Sequence, residues 1–275
     1  MSDQTSLTAS ALAPELATLD RADELGFDLA YQKTQLVNVV FFGPAAERGW
    51  VLIDAGTPGS AEQIFQAAAE RFGESIPPSA IVLTHAHFDH VGALRELAAE
   101  WETPIYAHRL EHPFLNGTRS YPAPHPGVGD GIMARAASLD PRRPTDVSRW
   151  LGLLSENQEV PFMPGWRCIP TPGHSPGHVS LWREADRTLI AGDALITTLH
   201  RSAYSTGQQI PDLNGPPQYY TADWDAARES VRRLAALEPE LIIAGHGPAM
   251  RGPEMREELK LLAHDFDKLA RPPRY

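Results

Sequence analysis

A single cysteine, Cys168, is all the thiol chemistry in this 275-residue chain. No intramolecular disulfide can form, and nothing calls for an oxidising compartment. Basic residues are also scarce, 24 Lys and Arg against 35 Asp and Glu, for a formal net charge of −11. A phosphate-backbone partner needs clustered cations to release counterions, so nucleic-acid binding is disfavoured, and RNA processing with it. No window approaches the roughly 20 apolar residues of a membrane span. Residues 1–20 are rich in Ser, Thr, Ala and acids and lack both a basic start and a continuous apolar stretch, so no secretory signal is expected. The expectation is a soluble, cytoplasmic protein that acts on a small molecule. One domain over residues 1–275 is favoured over two small ones, with length enough to bury a sizeable core.

Histidine and aspartate carry the information that is present. His85, His87, Asp89 and His90 fall within the run Thr84-His85-Ala86-His87-Phe88-Asp89-His90, and His174, Asp193 and His246 each sit in a separate Gly-rich turn. Imidazole nitrogens and carboxylate oxygens are ligands that zinc, iron and manganese share. Side-chain direction in an extended segment repeats every two residues, so His85 and His87 can reach one ion. Asp89 and His90, one turn later, face a second. Two-metal sites hold their ions roughly 3.5–4 Å apart, which needs a bridging carboxylate or hydroxide and ligands from several segments. Asp193, in Ala191-Gly192-Asp193-Ala194, is the natural bridge, because Gly192 allows the chain to turn tightly near an ion.

The surrounding pattern places these residues at strand ends. Apolar runs at 36–43 and 50–53 predict paired strands, 61–71 a helix, and 80–83 a strand that stops at the histidine run. The spacing of 91–101 predicts a helix with Asp89 and His90 at its N-terminus, followed by a strand at 104–108. Residues 110–164 form a Pro-rich insertion in which only 130–137 and 147–154 look helical. A stretch of this kind serves as a lid, a binding loop or an oligomer contact. Strands are then expected at 166–169, 179–182, 188–191 and 241–244, and helices at 224–237 and 254–270. A homodimer is one option, with the insertion or the N-terminal forty residues as candidate surfaces.

The run H-x-H-x-D-H, the later Thr171-Pro172-Gly173-His174-Ser175-Pro176-Gly177-His178, the Ala-Gly-Asp-Ala after a strand and the final Gly245-His246-Gly247 resemble the metallo-β-lactamase superfamily, particularly its glyoxalase II-like and lactonase-like hydrolases. The match spans roughly 39–248, and four motifs in order are far more specific than any one. The resemblance implies an α/β fold of the αββα type, two mixed sheets face to face with helices outside and metals at one edge. It implies that His85, His87 and His174 hold a first zinc, that Asp89, His90 and His246 hold a second, and that Asp193 bridges both, with iron or manganese as alternative metals. It further implies that Asp54 supports the site without binding metal. The implied chemistry is a metal-held hydroxide opening a lactone, ester or thioester, with Asp89 relaying a proton to the leaving group. Other outcomes in the same superfamily are β-lactam or small-phosphodiester hydrolysis and a mononuclear iron persulfide dioxygenase.

The remaining candidates are weaker. His178 begins a strand and reads as a support for the ligands. His108, His112, His125, His200 and His264 read as packing or surface residues, and Cys168 as a buried strand residue. Tyr121, His125, Met133, Arg135, Arg142 and Arg143 in the insertion, and Arg201, Tyr204, Tyr219 and Tyr220 in the loop at 199–220, could cover the metals. Among them Tyr220 is the candidate catalytic hydroxyl, able to donate a hydrogen bond to a carbonyl oxygen or leaving group. Only residues 248–275 follow Gly247, less than the long helical portion that binds glutathione in glyoxalase II-like enzymes. Length and the Tyr-bearing loop lean towards the lactonases.

Overall fold

The computed structural model describes residues 22–35, 37–122, 145–156, 158–198 and 211–273. In chain order, the first half comprises β1 (Asp23–Gly26), β2 (Leu29–Thr34), β3 (Val37–Phe42), β4 (Val51–Ile53), α1 (Ala61–Phe72), β5 (Ala80–Val82), α2 (Leu94–Trp101), β6 (Ile105–His108), α3 (His112–Leu115) and β7 (Leu151–Leu154). The second comprises β8 (Glu159–Val160), β9 (Met163–Pro170), β10 (Val179–Arg183), β11 (Thr188–Gly192), β12 (Ile196–Thr198), β13 (Pro211–Asn214), α4 (Trp224–Ala235), β14 (Leu241–Ala244), β15 (Met250–Arg251), α5 (Pro253–His264) and α6 (Phe266–Leu269).

Strands β1 to β7 form one sheet in sequence order, antiparallel through β4 and parallel beyond it. The second sheet runs β15-β14-β11-β10-β9-β8, with β11 and β14 parallel and the rest antiparallel. A small ribbon pairs β12 with β13.

Strands buried on both faces read as continuous apolar runs, and their alternation sorts residues into layers. In β3, Val39 and Phe41 pack with α1 and α2, whereas Val40 and Phe42 face the other sheet. In β14, Ile242 and Ala244 pack with α4 and α5, whereas Leu241 and Ile243 turn inward. Three apolar layers result: helices on the first sheet, sheet on sheet, and helices on the second sheet. This is the αββα sandwich that the resemblance implies.

Three expectations need correction. Residues 147–154 are not a helix: a turn, with Trp150 N–H donating to Val147 C=O, leads into β7, which pairs in parallel with β6. Val147, Trp150, Leu151 and Leu154 happen to recur at helical spacing, but sheet pairing decides. The helix after the histidine run begins only at Leu94, so Asp89 and His90 occupy a turn closed by His90 N–H and Val91 N–H, both donating to His87 C=O. The single closing helix is two, α5 and α6, separated at Asp265. The helix expected at 130–137 lies outside the described residues.

Candidate metal centre

Both sheets contribute to one site. β5 of the first sheet delivers Thr84 and His85 at its C-terminal end, and β9, β11 and β14 of the second lead to His174, Asp193 and His246. The sheets are joined there by backbone hydrogen bonds, from Val179 N–H to Thr84 C=O at 2.9 Å and from Asn38 N–H to Gly245 C=O at 2.7 Å. The Asn38 amide also donates to the carbonyls of Ala244 and Gly247, clasping the loop that carries His246.

All seven expected ligands converge. The ligand atoms of His85, His87 and His174 lie within 4.8 Å of one another, as do those of Asp89, His90 and His246, and those of His85, His90 and Asp193. All of these residues are buried. His87 Nδ1 faces His174 Nε2 at 2.8 Å. Asp193 Oδ2 stands 3.4 Å from His174 Nε2 and 3.2 Å from His246 Nε2, so a single carboxylate reaches both clusters. Asp89 Oδ2 lies 3.4 Å from His246 Nε2.

Three buried polar atoms at this centre, His85 Nε2, His90 Nε2 and Asp193 Oδ1, lack hydrogen-bond partners among the described residues, the last two standing 3.4 Å apart. Buried polar groups are seldom left so, and inward-facing imidazole and carboxylate atoms are the donor set a divalent metal fits. The outward nitrogens are held by the protein. His85 Nδ1 meets Thr84 Oγ1 at 3.1 Å, His174 Nδ1 meets Thr221 Oγ1 at 3.3 Å, and His90 Nδ1 meets Asp54 Oδ2 at 2.8 Å. Each such contact orients a ring so that its other nitrogen points to the centre. Asp54 also accepts from the Thr84 N–H and hydroxyl, both at 2.8 Å. It touches a ligand and stands behind the site, the place expected of it.

The two clusters differ electrostatically. Burial drives His85 and His174 well below the usual imidazole value and His87 down to about 4, which leaves neutral rings with lone pairs free to coordinate. Burial pulls His90 and His246 down as well, but carboxylates outweigh it. Asp193 and Asp54 hold His90 well above its ordinary value, and Asp193 with Asp89 raises His246 to about 10. Burial acts upward on Asp193 and Asp89, and the imidazoles of His246 and His90 overcome it and lower both carboxyls.

Other sequence candidates separate clearly. His178 Nε2 accepts from the Asp193 N–H at 2.8 Å, while its Nδ1 meets Thr171 Oγ1 at 2.8 Å. It supports the bridge position without belonging to any of the three clusters. Tyr121 and Tyr220 flank His87, with ring centres 4.2 and 4.9 Å from the imidazole, and Tyr219 lies behind Tyr220 at 5.2 Å. Cys168 is buried, and desolvation pushes its thiol up to about 12. His108 is buried beside Glu156 and His112 meets the Ala107 carbonyl, both apart from the clusters. His125, Met133, Arg135, Arg142, Arg143, His200, Arg201 and Tyr204 lie outside the described residues.

Sequence reasoning missed Glu111, Asn38 and Thr84, all buried and all bonded to loops that carry the clusters. Their partners lie far away in the chain, beyond the reach of any local pattern. For Glu111 the one available signal was the glycine of Pro176-Gly177-His178, where a close approach is needed.

Fold and site together define a member of a known family. The chain belongs to the metallo-β-lactamase superfamily, whose family model matches residues 34–246. It is 43% identical over 236 residues to Probable metallo-hydrolase YflN of Bacillus subtilis (strain 168), covering 86% of this chain and 89% of that one. It is 25% identical over 206 residues to hydroxyacylglutathione hydrolase GloC of Haemophilus influenzae, covering 73% of this chain and 81% of that one. Among solved structures, TTHA1623 in a di-iron-bound form is 30% identical, with a TM-score of 0.53 over 84% of this chain and 94% of that one.

Proposed function

We propose that the protein is a dinuclear metal hydrolase that opens a lactone, ester or thioester bond in a small molecule. His85, His87 and His174 would hold one ion, Asp89, His90 and His246 the other, and Asp193 both. The observation that carries this reading is the placement of Asp193 Oδ2 within 3.4 Å of one cluster and 3.2 Å of the other. Bound there, two ions supply Lewis acidity towards an acyl oxygen and lower the pKa of a coordinated water. Zinc is the metal proposed, with iron the alternative that the di-iron form of TTHA1623 brings forward.

The chain's own residues do the rest. Asp54, Thr84, Thr221 and His178 hold the rings and the bridging carboxylate in place, so little reorganisation is needed when charge develops. The 8% exposure of Asp89, where His85 and His90 are fully buried, supports the proposed role of relaying a proton to a leaving group. Tyr121 and Tyr220 supply aromatic surface on either side of His87, and the Tyr220 hydroxyl is the proposed donor to the substrate oxygen.

The test compares kcat/KM of the zinc-loaded protein on an acyl-homoserine lactone and a glutathione thioester, with metal counted on the same sample. Preference for the lactone assigns the loops to ring recognition, and preference for the thioester aligns the chain with relatives such as GloC. Fewer than two metals per active chain would overturn the dinuclear reading.

A further inference from the structure

One buried carboxylate near the clusters belongs to neither. Glu111, at the start of α3, is 1% exposed, yet its two oxygens accept four hydrogen bonds from three separate segments. Oε2 accepts from the Ala86 N–H at 3.0 Å and from the Tyr121 hydroxyl. Oε1 accepts from the Ser175 hydroxyl at 2.9 Å and from the Gly177 N–H at 2.7 Å. Ala86 lies between His85 and His87, and Ser175 directly follows His174. One oxygen therefore grips the loop of two ligands while the other grips the loop of the third.

Space has been cleared for this contact. A Cβ on Gly177 would lie 2.8 Å from Glu111 Oε1 and 2.7 Å from His108 Nδ1, so glycine there is what lets the carboxylate reach across. All four partners donate, and only a carboxylate presents acceptors on both of its ends.

We propose that Glu111 is a positioning residue for the metal centre: through Ala86 and Ser175 it fixes the separation of the His85–His87 loop from the His174 loop. This rests on the reading of those three histidines as ligands of one ion. The isosteric change Glu111→Gln isolates the effect. Whichever way the amide lies, its NH2 end faces a backbone N–H, of Ala86 or of Gly177, that cannot turn round to accept. One loop is released while the side-chain volume is kept.

The test measures zinc affinity by chelator competition on metal-free full-length protein. Glu111→Gln is expected to bind zinc about 10–100-fold more weakly, the usual cost of losing a partner that orients metal ligands. Leu259→Ala, on α5 in the remote helix-packed layer, is the control for stability alone: it lowers Tm and leaves the affinity of the folded protein unchanged. Wild-type affinity in Glu111→Gln overturns the proposal, as does an equal loss in Leu259→Ala. His87→Ala separates the two levels, because full zinc affinity in that variant overturns the ligand assignment itself.

Discussion

Gly245 and Asp193 approach so closely that a Cβ on Gly245 would sit 2.1 Å from Asp193 Oδ1. The same atom would lie 2.7 Å from His90 Cε1, so the glycine is needed for room at the centre of the site. Gly245→Ala must push the Asp193 carboxylate aside. Misplacement of about 1 Å can cost on the order of 100-fold in rate, and a loss of at least that size in kcat/KM is expected, with fewer metals per chain. Far-UV circular dichroism should match wild type, since the sandwich layers are untouched. Full activity in this variant would remove Asp193 from the centre.

His85→Ala removes a nitrogen shared by two of the three clusters, and Asp193→Ala removes the carboxylate that lies near both His174 and His246. Turnover should be abolished and the metal count should drop, measured by elemental analysis of protein purified in parallel. Normal activity in either variant would sink the assignment.

His178→Ala leaves the buried Asp193 N–H without its acceptor. An orphaned buried donor costs about 1–3 kcal/mol, and urea unfolding should show that loss as a lower midpoint at constant slope. Metal affinity should fall with it. An unchanged midpoint would mean that neither the hydrogen bond nor the packing of the ring contributes to stability.

Tyr220→Phe retains the ring beside His87 and deletes the hydroxyl. If the hydroxyl acts only in the transition state, kcat falls by more than KM rises. Unchanged kinetics would return the residue to packing.

Cys168 should be inert in the folded protein. Burial keeps its thiol protonated until about pH 12, and side-chain access is closed, so iodoacetamide at pH 8 should add no mass until denaturant is present. Rapid alkylation of native protein would contradict the burial of β9.

The sequence made the doubly buried strands legible. β4, β5 and β14 are short and apolar throughout, β3 and β11 are so but for Asn38 and Thr188, and Thr84, Asp193 and His246 follow the ends of β5, β11 and β14. β2 escaped because Gln32, Lys33 and Thr34 look like loop residues. Gln32 and Thr34 are nonetheless buried, and the Thr34 hydroxyl is satisfied by the Val37 carbonyl. All seven clustered residues are legible because metal coordination restricts residue type so strongly. Glu111 was not, because a carboxylate that accepts from Ala86, Ser175 and Gly177 leaves no periodic trace in any of those segments.

The division of the clusters between the two sheets has a mechanical consequence. His85, His87, Asp89 and His90 ride on one slab, and His174, Asp193 and His246 ride on the other, so any slip between slabs misaligns the ligand atoms by the same distance. The fasteners against such shear include Phe42 and Trp166, edge to face at 5.9 Å, in the layer between the sheets. An ion held across the seam would act as a rivet, adding to that ring pair and to the Val179–Thr84 and Asn38–Gly245 backbone bonds in keeping the slabs in registration.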